Sequence, residues 1–159
     1  MEGDEAQLLP VEPGYKNVLR VRIAITWLVL IAIALVVNAA VLDETRFNGA
    51  LPAAVAAIAL SILAAAPNRI YHRLRYRLSD SVLQVLRGWL FHRDTVVPLV
   101  RVQHLDVVRG PLDKIFGTAS LVVHTAGTHN SIVTLPGLSP DRATEMRDAI
   151  REHVRTDFA

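Results

Sequence analysis

The chain contains no cysteine, which excludes disulfides, thiolate metal sites and cysteine nucleophiles. It is also poor in aromatics, at 6%, yet 52% of its residues are hydrophobic and its mean hydropathy is +0.33. Aliphatic residues must supply that excess, and they are concentrated between Ile23 and Ala66. A basic surplus is missing from the second half: Ser79 to Ala159 holds nine Lys/Arg and nine Asp/Glu. A nucleic-acid-binding domain carries its own positive field, so no nucleic-acid partner is expected. There is no Gly-x-Ser-x-Gly elbow, no phosphate-binding Gly-Lys loop and no Gly-x-Gly-x-x-Gly turn. Hydrolase, nucleotidase and oxidoreductase readings thus lack positive support, and no enzyme activity or cofactor is expected.

What is present begins with charge-free runs. Ile23 to Leu42 is twenty residues without a charge, enough to cross about 30 Å of hydrocarbon at about 1.5 Å per residue. Asn38 is its single strongly polar side chain, and Trp27 lies near its Arg22 end, at interfacial depth. Asn38 reads as a residue near the far interface rather than as a hydrogen-bonding link. Ala50 to Ala66 is alanine-rich, uncharged, and carries Pro52 in its first turn, where a missing N–H is tolerated. The connection from Asp43 to Gly49 is short, so the two spans form an antiparallel hairpin. A cleaved leader does not fit, because a mostly polar stretch precedes the first run and a second run follows it. A buried soluble helix is the competing reading for the second run.

Charge placement sets the orientation. Lys16, Arg20 and Arg22 precede the first span, Arg69, Arg73, Arg75 and Arg77 follow the second, and the connection holds two acids and one arginine. The bias of basic residues toward the inner side puts both termini in the cytoplasm of a multi-pass protein of the bacterial inner membrane. The expected organisation is a cytoplasmic segment over 1–22, a hairpin over 23–66 (helices about 23–42 and 50–66), and a cytoplasmic β domain over 67–159.

After Pro67 the pattern changes to short β-prone runs separated by turn residues. Tyr76–Leu78, Val82–Leu86, Asp94–Leu99, Val102–Val108, Ser120–Thr125 and Ser131–Leu135 read as antiparallel strands. Ser139-Pro140-Asp141 then opens a helix, with a capping hydroxyl, proline at the first position and an acid in the first turn. Ala143, Met146, Ala149/Ile150 and Val154 recur on one face of it.

Pro98 through His104, then Gly110-Pro111-Leu112, Phe116-Gly117 and His124 through Gly127, resemble the bacterial PH-like domain of YdbS-type membrane proteins. Tyr76 through Ser79 and Arg87-Gly88 fit the same pattern, and the resemblance runs from about Tyr71 to Val154. It implies an α+β membrane protein: two helices, then two roughly orthogonal antiparallel sheets capped by a C-terminal helix. It implies no catalytic residues, and it points to neighbouring membrane proteins and envelope stress. Phosphoinositide recognition of the eukaryotic PH kind is not expected, because the turn Ser79-Asp80-Ser81 is acidic and Arg87 and Arg93 are isolated in sequence.

Three groups remain as candidate sites. Leu112, Lys114, Ile115 and Phe116 form an apolar loop that either meets a partner or bilayer, or folds back to plug the barrel; the plug is favoured. Arg69, Arg73, Arg75, Arg77 and Trp89 form a membrane-surface set, able to attract anionic lipid by about 1 kcal/mol per basic residue. Histidines 72, 92, 104, 124, 129 and 153 lack helical metal-ligand spacing and an accompanying carboxylate cluster, so strand histidines with one partner each are expected rather than a metal site. Expected partners are the lipid bilayer and a protein, either another PH-like membrane protein or a second copy. A lipid- or small-ligand-binding sensor is the alternative reading.

Overall fold

The computed structural model describes residues 8–45, 47–88, 92–126 and 132–157. Alternation decides the β region: along Val82–Arg87 (β3) the side chains of Leu83 and Val85 are buried while their neighbours are only partly so. The same period recurs in Ala119–Thr125 (β6), where Ala119, Leu121 and Val123 are fully enclosed. Leu9–Pro10 (β1), Arg75–Leu78 (β2), β3 and Arg93–Pro98 (β4) make one antiparallel sheet in that order. Val102–Val108 (β5), β6 and Ile132–Leu138 (β7) make the second. Their inner faces share one core, in which Leu83, Leu121, Leu135 and Leu138 are at most 1% exposed.

Pro140–Asp157 (α4) closes that core with Ala143, Met146 and Ile150, while Ala149 stays exposed. Its start is capped as the sequence implied, the Ser139 hydroxyl accepting from the Arg142 N–H at 3.2 Å. Burying Met146 and Ile150 contributes about 1.5–3 kcal/mol each.

Gly14–Val37 (α1), continued by a π-helical turn over Asn38–Leu42, and Ala50–Arg73 (α2) form the antiparallel hairpin. Both are long and apolar enough to cross a membrane, and little of either is buried. Core helices of a soluble protein would be enclosed, so the soluble-helix reading of the second run finds no support. Leu28, Val36, Val41 and Leu60 instead face outward, each more than 60% exposed.

The helices are longer than the apolar runs that predicted them. α1 begins at Gly14 rather than Ile23 because Tyr15, Val18 and Leu19 recur on one face and pack, together with Val11 just before the helix, into the β core. The stretch before the first span is therefore built into the domain. α2 runs on through Pro67 to Arg73, past the expected end at Ala66. An internal proline costs about 3 kcal/mol. Continuing the helix brings Ile70 and Tyr71 against the same core and lets the Tyr71 hydroxyl donate to the Val11 carbonyl at 3.3 Å.

Asn38 also departs from its expected role. It is 9% exposed; its Nδ2 donates to Asn48 Oδ1 at 2.8 Å and its Oδ1 accepts from the Gly49 N–H at 2.9 Å. The side chain ties the end of the first span to the connection and the start of α2. An amide with no water to bind seeks protein partners.

Candidate functional site

The Gly110–Gly117 segment is a short helix, Pro111–Ile115 (α3), rather than an open loop. Asp113 builds it: Oδ2 accepts from the Gly110 N–H at 3.0 Å and Oδ1 from the Thr118 hydroxyl at 2.7 Å. Asp113 and Thr118 are buried, so these bonds satisfy groups that water does not reach. Helical spacing then divides the four candidates. Leu112 and Phe116, four apart, turn toward the core, whereas Lys114 and Ile115 face outward, Ile115 being 72% exposed. The segment also buttresses the foot of α1. A Cβ added at Gly14 would lie 2.3 Å from the Phe116 carbonyl oxygen, so only glycine lets α1 approach this closely.

The basic set does not converge on one place. Arg69 and Arg73 lie exposed in the last turns of α2, and Arg75 and Arg77 lie half-buried along β2. In the register Arg75 pairs with Leu86 and Arg77 with Gln84, on the face opposite Tyr76. The Arg77 Nε is buried without a hydrogen-bond partner. Trp89 lies outside the described residues.

Two histidines do meet. His104 and His124 are direct partners across β5 and β6, with ring centroids 5.7 Å apart. Asp106 lies on the same face, its Oδ1 3.0 Å from His104 Nε2 and its Oδ2 3.4 Å from His124 Nε2. Each of these histidines thus has one carboxylate partner, and the partner is shared: the period of two puts residues 104 and 106 on one side of the strand. Among the described residues no group of three or more His, Asp or Glu is able to hold a metal ion.

Sequence reasoning missed one more constellation. A cleft of about 470 Å3 opens between the foot of α1 and the second sheet, lined among others by Tyr15, Arg22, Arg87, Asp113, Ser120 and Thr134. Burial lowers the pKa of the Arg87 guanidinium, and the positive Arg93 lowers it further against an opposing effect from Tyr15. Neither Arg22 nor Arg87 makes an ion pair among the described residues, and both Asp113 oxygens accept from other donors. No short motif links positions so far apart in the chain. The only local hint is that Tyr15 and Arg22 lie two helical turns apart, on one face of α1.

Comparison with known proteins agrees with this architecture. The bacterial PH domain family matches residues 18–154. Over 88 residues, 55% of this chain, the sequence is 33% identical to the UPF0699 transmembrane protein YdbS of Bacillus subtilis (strain 168). The match spans 54% of that protein, about half its length. No solved structure matches the chain. With two membrane-length helices leading into paired antiparallel sheets and a capping helix, the chain belongs to the bacterial PH domain family and is a YdbS-like transmembrane protein.

Proposed function

We propose that the chain is a non-catalytic module that holds its PH-like domain at the cytoplasmic face of the bacterial inner membrane and assembles there with a protein. The partner is a second PH-like membrane protein or another copy of this chain, and the setting is envelope stress. The observation that carries this reading is the free edge of β4. Among the described residues β4 pairs with β3 alone, which leaves one side of its backbone without a ladder partner. Exposed strand edges are templates for another chain. Val96 and Val100, 52% and 57% exposed, supply apolar contact beside that edge. An open cleft along it is lined by Arg93, Arg101 and Thr125, which supply polar specificity.

The test is association of the full chain extracted in mild detergent, read by native mass spectrometry and cross-linking. Wild-type protein is expected to retain a partner or a second copy, and Val96→Glu with Val100→Glu to lose it while keeping the same unfolding temperature. A solitary protein across several mild detergents overturns the proposal. So does an association indifferent to both substitutions.

A further inference from the structure

The cleft at the foot of α1 has no place in the assembly reading, yet its chemistry is specific. It gathers two arginines, the phenol of Tyr15 and the hydroxyls of Ser120 and Thr134 around one opening. The single carboxylate on its wall, Asp113, is committed to Gly110 and Thr118 and has no contact with either guanidinium. Planar guanidinium forks match the oxygens of a phosphate group, and hydroxyls complete such a cradle. The position is equally specific. Arg22 immediately precedes Ile23, where the charge-free run begins, so the rim of the cleft lies at the membrane boundary. Tyr15 lies seven residues earlier, about 10 Å deeper along the axis.

We propose that this cleft binds a phosphate-bearing anion, held between Arg22 and Arg87 with the hydroxyls of Tyr15, Ser120 and Thr134 as secondary donors. Two sources carry that chemistry, the headgroup of an anionic phospholipid and a free phosphate. A headgroup reaches the site from the bilayer side, past Arg22; free phosphate reaches it from the aqueous side. In either case binding ties the membrane helix to the first sheet, because the ligand bridges α1 and the end of β3.

The experiment uses the full chain in a neutral detergent and reads bound ligand by native mass spectrometry and by thermal shift. The probes are short-chain phosphatidylglycerol, phosphatidylcholine of the same chain length, and inorganic phosphate. Wild-type protein is expected to bind phosphatidylglycerol, inorganic phosphate or both in preference to phosphatidylcholine. Binding of phosphatidylglycerol alone assigns the lipid source, and binding of inorganic phosphate with no added gain from the lipid assigns the free anion. Arg22→Gln, at an exposed position that carries no fold, is expected to weaken binding about tenfold, the size of one lost charge-assisted hydrogen bond. Arg87→Gln is expected to do the same, whereas Arg151→Gln, exposed on α4 and outside the cleft, leaves binding unchanged. Equal retention by wild type, Arg22→Gln and Arg87→Gln overturns the proposal. So does binding of neither phosphatidylglycerol nor inorganic phosphate.

Discussion

Gly137 lies directly against Tyr15: a Cβ at Gly137 would stand 2.7 Å from Cγ of the tyrosine ring. The glycine is in β7 and the tyrosine is in the first turn of α1, so this contact joins the β domain to the foot of the membrane helix. A backbone bond reinforces it, the Glu12 N–H donating to the Gly137 carbonyl at 2.7 Å. The φ of Gly137 is 78°, a region that side chains avoid. Gly137→Ala therefore combines backbone strain with overpacking and is expected to destabilise the protein by about 2–4 kcal/mol. Chemical denaturation of the full chain in detergent measures it, and a loss below about 0.5 kcal/mol contradicts the contact.

The β domain is expected to depend on residues that precede the first span. Val18 is 0% exposed and lies in one core with Leu83 and Leu121. Val18→Ala removes two methyl groups from a packed site and should cost about 1–3 kcal/mol. A fragment starting at Arg69 lacks Val11, Tyr15, Val18 and Leu19 altogether and exposes the surface they cover. It is expected to unfold well below the full chain, or to bind an apolar dye that the full chain excludes. A fragment that melts like the intact protein argues against the shared core.

Asn38 is expected to matter more than a polar residue at a lipid boundary. Asn38→Ala removes the bond to Asn48 and strips the Gly49 N–H of its acceptor. Bonds of this kind in membranes are worth about 0.6–1.7 kcal/mol each. Faster protease cleavage within the 43–49 connection than in the wild-type protein is the readout. Identical cleavage rates would remove the clamp from the account.

Cysteine-free sequence makes topology directly measurable. With both termini inside, a single cysteine at Thr45 is expected to react with an impermeant maleimide added to intact cells. One at Asp148, exposed on α4, is expected to react only after the membrane is opened. The reverse pattern overturns the cytoplasmic placement.

The strands and the hairpin were legible because their signals are local. A charge-free run needs no tertiary information to read as a span, and alternation over Val82–Leu86 or Ser120–Thr125 reads as a half-buried strand. Ser139-Pro140-Asp141 announced α4 by capping chemistry within three residues. Helix ends were less legible. The apolar run stops at Ala66, and only the docking of Ile70 and Tyr71 explains why α2 continues through Pro67. At the candidate sites, the sequence placed His104 and His124 on strands but not opposite each other. The shared carboxylate required the register of β5 against β6.

From its sequence alone this protein was determined to be a membrane hairpin bearing an antiparallel β domain closed by one helix. Hydropathy, period and caps act over a few residues and survive without a fold. Tertiary structure decided that Val11, Tyr15, Val18 and Leu19 belong to that domain, that α3 braces the foot of α1, and that Arg22 and Arg87 face one cleft. Those relations join positions far apart in the chain, and no short stretch encodes them, because the energy of packing is set by what the folded backbone brings into contact.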